Sequence, residues 1–304
     1  MPKTKIITII GASGFIGHNL INYMAENTNY NIRAFARHAS AIKIDRRYSN
    51  RINLIDGDAF NEEDLTKAVQ GSYAVVYLLH MMAEKGDYAA KEAEVAEICG
   101  RVFAKLDIPR VVFMGGLGDD KDNLSKHLKS RHTTGEILRR HVSSLIELRA
   151  SMIIGNGSIA YDIMKNLVHR LPVQTLPKWA TTKTQPIALI DALHYIVASI
   201  ELPVTGHEII EIGGPRQMSY RDLIKEYGKF QGKKLILINV PIVPLWLGAW
   251  WLNLFTPPRH AKVGRQMVES LVNPMIVTND KAHTIFPEIK PIDITKAFER
   301  EDTK

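Results

Sequence analysis

Apolar positions along this chain come in two rhythms. Ile6, Ile7, Thr8, Ile9 and Ile10 form an almost unbroken apolar, β-branched run, which suits a strand buried on both faces of a parallel sheet. Directly after it, Phe15, Ile16, Leu20, Ile21 and Met24 recur at helical intervals. The alternation continues. Strand patterns at Asn31–Ala36, Arg51–Gly57, Tyr73–Leu79, Arg110–Met114 and Ser144–Arg149 are separated by helical patterns at Glu62–Val69, Glu84–Asp107 and Leu124–His141. Strands and helices that alternate with short connections predict an α/β protein built on a doubly wound parallel sheet. Further on, Ala150–Ser158 reads as a glycine-containing loop and Ile159–Arg170 as a helix. After Thr184–Ile190, Asp191 opens a helix through Ile200, and His207–Ile212 reads as a strand. Ser219, with Asp222 three positions on, has the pattern of a capped helix start.

Between the first strand and the first helix, Gly11, Gly14 and Gly17 fall at G-x-x-G-x-x-G spacing, with Ser13, Phe15 and Ile16 among them. In this strand–turn–helix setting the motif is a phosphate cradle. Gly11 lets the chain turn, Gly14 lets backbone approach a pyrophosphate, and Gly17 lets helix and strand pack closely. Free amides and the positive end of the helix meet the anion. The reading is an NAD(P)-binding Rossmann fold. It places a dinucleotide-binding domain at 1–155, with 180–212 completing the sheet. Residues 156–179 and 213–304 form a small C-terminal α/β substrate domain.

The end of the second strand bears on the cofactor. An acidic residue there would accept from a ribose 2′-hydroxyl and favour NAD. The run is A-F-A-R-H-A-S instead. Arg37, with Arg33, Ser40 and Lys43 nearby, suits a 2′-phosphate, so NADP(H) is favoured over NAD(H); the alternative is a solvated charge at a strand end. Asp58, in I-D-G-D-A-F, is placed to accept from the adenine amino group, with Ala59 beside the ring, or else is a loop or capping residue. Leu79 and His80 end the fourth strand at the same edge.

Composition narrows the classes. The 304 residues are 45% apolar and 23% charged, ordinary for a globular protein. A single cysteine, Cys99, excludes internal disulfides and a cysteine metal cluster, and no metal site is expected. The net charge of +7, 39 cations minus 32 anions, fits an anionic cofactor or an anionic surface. No aromatic-interleaved basic motif points to nucleic acid. The short N-terminal apolar run is a strand, not a signal peptide, and a cytoplasmic protein is expected.

One stretch departs from this pattern. Residues 235–258 hold no charge over 24 positions, and Arg259, Lys262 and Arg265 follow. Asn239, Pro241 and Pro244 interrupt its first third. The expected structure is a strand at Leu235–Val240, then a helix carrying Trp246, Trp250, Trp251 and Phe255. That helix is read as a wall of the small domain; a peripheral membrane contact through 243–265 and a meeting of like subunits stay open.

The glycine motif resembles that of extended and atypical short-chain dehydrogenase/reductases, and the resemblance implies, for a reductase, a phenol, a lysine four residues on, and a serine at the end of the fifth strand. Here that strand ends in Gly115 and Gly116, and no tyrosine lies between Lys121 and Ser144. H-L-K-S-R puts His127 at the tyrosine place and Arg131 at the lysine place. His127 could shuttle protons. Arg131 could hold a ribose or phosphate, but it cannot exchange a proton.

G-A-S-G-F-I-G, A-F-A-R-H, G-D-A-F, L-K-S-R-H-T-T-G-E-I-L-R, E-L-R-A-S-M-I-I-G-N-G-S, Q-P-I-A-L-I-D-A-L and E-I-I-E-I-G-G-P together resemble the NmrA-like group of atypical short-chain dehydrogenase/reductases. They are especially similar to bacterial relatives of the nucleotide-binding accessory subunit of respiratory complex I, often labelled nucleoside-diphosphate-sugar epimerases. The resemblance implies an NAD(P)-binding Rossmann fold with a small C-terminal substrate domain. Some such proteins are reductases; others hold NADPH without turnover. Two expectations follow: an oxidoreductase acting on an apolar carbonyl or quinone-like substrate, with Ile153, Ile154, Leu245 and Trp246 lining its cleft, or a non-catalytic NADP(H)-binding sensor or assembly factor.

Overall fold

The computed structural model describes residues 4–82, 84, 86–120, 122–203, 205–240 and 269–302. In chain order the elements begin β1 (Ile6–Ile10), α1 (Phe15–Asn27), β2 (Asn31–Ala36), β3 (Ile52–Asp56), α2 (Glu62–Val69) and β4 (Ala74–Tyr77). They continue with α3 (Tyr88–Lys105), β5 (Val111–Gly116), α4 (Lys126–His141), β6 (Ser144–Ala150), β7 (Ile153–Ile154), α5 (Ile159–Arg170) and β8 (Val173–Pro177). Then come β9 (Lys183–Thr184), β10 (Ile187–Ala188), α6 (Leu189–Ile200), β11 (Gly206–Ile212), β12 (Met218–Ser219), α7 (Tyr220–Phe230) and β13 (Ile236–Val240). The last described helices are α8 (Lys281–Ile285) and α9 (Ile294–Asp302).

Seven strands form one sheet in the order β11-β6-β5-β4-β1-β2-β3. β1 pairs in parallel with both β2 and β4, so Ile10 stands in register with Phe35 on one side and Tyr77 on the other. The strand order reverses there, and ligands of open α/β sheets bind beyond the carboxyl ends of the strands at such a point. The apolar runs of the sequence are the reason for the central strands: all of β4 and all but the first residue of β1 are buried.

Three expectations are corrected. The helix expected from Glu84 begins at Tyr88, because the Asp87 side chain accepts from the Ala89 and Ala90 amides and sets the start. The segment 180–212 does not complete the sheet as a block. β11 joins it, while β10 pairs with β7 and β9 with β12 in separate two-stranded ribbons. Ala150–Ser158 is not loop throughout, since β7 lies within it. The Ser219–Asp222 capping box forms as the spacing predicts, and β13 occupies most of the strand expected at Leu235–Val240. The helix expected after it, and with it the membrane contact through 243–265, lies outside the described residues. Among those described, no helix is long and apolar enough to cross a membrane.

The chain divides into two compact units, one of residues 1–115, 130–149 and 193–210, the other of 116–129, 150–192 and 211–304. The first contains most of the large sheet. The second is built around Tyr161, Tyr227 and Phe298, with the Tyr227 and Phe298 rings edge to face at 5.0 Å. Within this second unit Asp191, 2% exposed, accepts from the Ile292 amide at 2.9 Å and ties the segment before α9 to the first turn of α6.

Burial pushes the Asp191 carboxyl up to about 6, against the lowering effects of the Ile292 amide and Arg300. The folded state therefore binds more protons than the unfolded state between the ordinary aspartate range and about pH 6, and stability falls as pH rises through that window. Asp191→Asn keeps an acceptor for Ile292 and removes the titration. In urea titrations the variant should gain about 1–3 kcal/mol on wild type between pH 4 and pH 7. A stability difference unchanged across that range would contradict the assignment.

Candidate nucleotide-binding site

The first βα turn is held from three directions. The Gly11 and Ala12 amides both donate to the Phe35 carbonyl at the end of β2, at 3.1 and 3.2 Å. Gly11 has φ +83°, and a Cβ there would stand 2.9 Å from the Leu78 carbonyl carbon, so only glycine fits beside β4. At Gly17 a Cβ would lie 2.6 Å from the Gly11 oxygen, which lets the first turn of α1 press on the loop that feeds it. Gly14 differs. Its backbone is ordinary, with φ −72° and ψ 170°, and an added Cβ would meet only the Gly11 oxygen, at 3.2 Å.

Ser13 and Gly14 are exposed, and Phe15 and Ile16 are half-buried. No side chain caps α1, and its first turn carries no acidic residue. A helix leaves its first N–H groups without acceptors of its own, and its positive end favours an anion. A bare glycine turn with an uncapped helix behind it therefore fits a diphosphate. This is the chemistry that the spacing predicts.

Around this turn the other expected residues fall into two groups. Arg37 is exposed at the end of β2 and pairs with Glu84 at 2.9 Å. Arg33 does not share the site: its guanidinium donates to the Ala68 and Gln70 carbonyls at 3.1 and 2.6 Å, at the C-terminal end of α2. Four positions separate Arg33 from Arg37, which in a strand is about 13 Å. Asp58 is exposed and makes a local turn, its carboxylate accepting from the Phe60 amide at 3.1 Å. The helix cap nearby is Asn61. Ala59 is buried. Asp56, which ends β3, supplies a carboxylate that β2 lacks: it accepts from the Ser40 amide at 3.2 Å.

The second group lies at the ends of β4 and β5. Arg131 is 5% exposed. It donates to the Leu79 carbonyl at 2.9 Å and the Met114 carbonyl at 2.7 Å, with its guanidinium over the Phe113 ring at 4.8 Å. Buried Glu92 stands 3.7 Å from it. Glu92 also accepts from the Met81 amide at 2.8 Å and from the Ser130 hydroxyl. Arg131 thus fastens two strand ends and compensates a buried carboxylate. His80, 36% exposed, lies 3.8 Å from the same carboxylate, and partial desolvation of its ring together with the Arg131 cation lowers its imidazole. It stays neutral at physiological pH. His127 is half-buried in the first turn of α4, one turn before Arg131.

Glu92 and Ser130 are the polar residues that the sequence reading missed. The signal was present: Glu92 shares a helix face with Tyr88, Val95, Ala96 and Cys99, all buried. A carboxylate on such a face needs a partner.

Comparison with known proteins agrees with this geometry. Residues 11–153 match the family model described as NAD(P)H-binding. The chain is 21% identical over 258 residues to the mitochondrial NADH dehydrogenase (ubiquinone) 1 alpha subcomplex subunit 9 of Mus musculus, covering 83% of this chain and 68% of that one. It is 22% identical over 250 residues to the ceramide reductase of Caulobacter vibrioides, covering 78% and 74%. Among solved structures, a nucleoside-diphosphate-sugar epimerase from Staphylococcus aureus superposes with a TM-score of 0.76 at 15% identity, over 98% of this chain and all of that one. An NADPH-dependent quinone oxidoreductase from Escherichia coli, complexed with NADPH, gives 0.75 at 16% identity, over 97% and 99%.

If Arg131 is a structural clamp, Arg131→Met leaves Glu92 buried beside no cation and should cost about 3–5 kcal/mol in urea unfolding. Adding Glu92→Gln should restore more than half of that loss. No recovery in the double variant would show that the two side chains are not coupled.

Proposed function

We propose that this chain, which resembles the NmrA-like atypical short-chain dehydrogenase/reductases and whose residues 11–153 match a family model described as NAD(P)H-binding, is an NADP(H)-preferring oxidoreductase acting on an apolar carbonyl or quinone-like substrate. The observation that carries the reading is the bare, uncapped turn at Gly11–Gly17. The nicotinamide ring supplies a hydride when the nucleotide is bound. The chain's own residues hold and orient. Gly14 and the first amides of α1 receive the diphosphate. Arg37 receives the 2′-phosphate, which competes with Glu84 for its guanidinium. The Arg131 clamp fixes the ends of β4 and β5, which would flank the nicotinamide half of a bound nucleotide. Support for the substrate class comes from the relatives: one is named a ceramide reductase, one a quinone oxidoreductase.

A second reading has its own support. The tyrosine, lysine and serine of reductase chemistry are absent, and the arginine at the lysine place is turned onto backbone carbonyls. One relative is named as a subunit of NADH dehydrogenase. A non-catalytic NADP(H)-binding sensor or assembly factor would need no proton donor.

Titration of the protein with NADPH and NADH tests the binding site. NADPH should bind more tightly. Arg37→Asp should reverse the order, and Glu84→Gln, by releasing Arg37, should tighten NADPH several-fold with little effect on NADH. Gly14→Val should leave the fold intact and remove binding of both nucleotides. An unchanged NADPH-to-NADH ratio in Arg37→Asp would discard the 2′-phosphate contact.

NADPH oxidation against a panel of carbonyls and quinones separates the two readings. The enzyme should turn over at least one member, and His127→Phe should lower kcat by about 10²–10⁴-fold if His127 donates the proton. Binding without turnover would favour the sensor, and unimpaired turnover in His127→Phe would remove that residue from the chemistry.

A further inference from the structure

The second unit contains a short ribbon whose outward face is the wrong kind for water. β8 and β13 pair in parallel, with Ile236 beside Val173 and Ile238 beside Thr175. Strand alternation sends Gln174, Leu176 and Leu237 inward. Leu176 and Leu237 join the core around Tyr161, and Gln174 donates to the Leu167 and Leu171 carbonyls. The opposite face should then be polar. Instead it presents Val173, Ile236 and Ile238 at 49%, 60% and 48% exposure. These are three of the four large apolar side chains most exposed among the described residues, and register makes them neighbours. Scattered apolar side chains need no explanation, but a contiguous set on one ribbon marks a contact.

Charge identifies what it contacts. Arg170 and Lys178 bracket β8, and Lys233 and Lys234 precede β13. Arg170, Lys178 and Lys234 are exposed, and Lys233 is anchored through its ammonium to the His169 carbonyl at 2.9 Å. From 170 to 190 and from 227 to 268 the sequence contains no aspartate or glutamate. An apolar strip between cations, with no acidic side chain along either segment, complements a surface that is anionic outside and apolar just beneath. A protein partner would need acidic residues arranged to this ribbon, whereas a second copy would bring cations against cations.

We propose that the outward face of the β8–β13 ribbon docks on an anionic lipid bilayer. Val173, Ile236 and Ile238 enter the boundary between headgroups and acyl chains, and the flanking lysines and Arg170 stay at the phosphates. The ribbon shares no residue with the nucleotide turn, so the proposal stands whether or not the chain turns over a substrate.

The full-length protein should co-sediment with vesicles of phosphatidylcholine containing about 30 mol% phosphatidylglycerol, and much less with phosphatidylcholine alone. Ile236→Asp with Ile238→Asp should lower partitioning at least about tenfold, and so should Lys178→Glu with Lys234→Glu. Unchanged thermal unfolding and NADPH affinity would show that these exposed substitutions leave the fold alone. Two results would overturn the proposal. One is vesicle binding that is absent, or as strong in the Asp double variant as in wild type. The other is a dimer by light scattering that the Asp double variant splits while no vesicle binding is seen, which would assign the face to a second copy.

Discussion

The close approach of backbone at Gly11 is the constraint on which the rest depends. The turn after β1 is pinned to the Phe35 carbonyl by two amides and lies against the backbone leaving β4. No side chain can be inserted at Gly11 or Gly17 without meeting main-chain atoms under 3.0 Å away. This packing brings the carboxyl ends of β1, β2 and β4 to one edge. It also aims the uncapped end of α1 across that edge, where the partial positive charge of the helix is available to an anion. Tightness at Gly11 and Gly17 makes room at Gly14: the two hold the frame, and the third leaves the surface bare.

A second buried arrangement gives the same edge its electrostatic character. Arg131, Glu92 and Ser130 form a polar knot beneath the ends of β4 and β5. Burying a carboxylate or a guanidinium alone is costly, and each is tolerated here because the other compensates it and carbonyls complete the shell. A second consequence is chemical. The cation at the place where a reductase has its lysine is committed to the protein's own backbone, and His80 beside it is kept neutral. The edge is thus well built for holding a dinucleotide. A proton for a substrate would have to come from His127 or elsewhere.

The second unit follows a different logic. Its core packs aliphatic side chains around Tyr161, Tyr227 and Phe298, and it contains small two-stranded ribbons. One ribbon turns the β-branched side chains Val173, Ile236 and Ile238 to solvent. Neither this face nor the glycine turn requires the other, because they rest on different residues in separately packed units.

The sequence by itself determined the elements and the glycine turn after β1. Buried parallel strands must be continuously apolar, a dinucleotide turn must have glycine where backbone meets backbone, and a capped helix announces itself at Ser219 and Asp222. These are local rules, written in neighbouring residues. What only the tertiary structure decided were the pairings between residues distant in sequence. Arg33 looked like a companion of Arg37, but its long side chain reaches the end of α2. Arg131 looked available to a ribose, but Leu79 and Met114 lie within its reach. Residues 180–212 looked like one block of sheet, but β9 and β10 found partners elsewhere. A flexible cationic side chain satisfies the nearest carbonyls, and an isolated two-residue strand pairs with whichever edge is closest. Both distances exist only once the chain has folded.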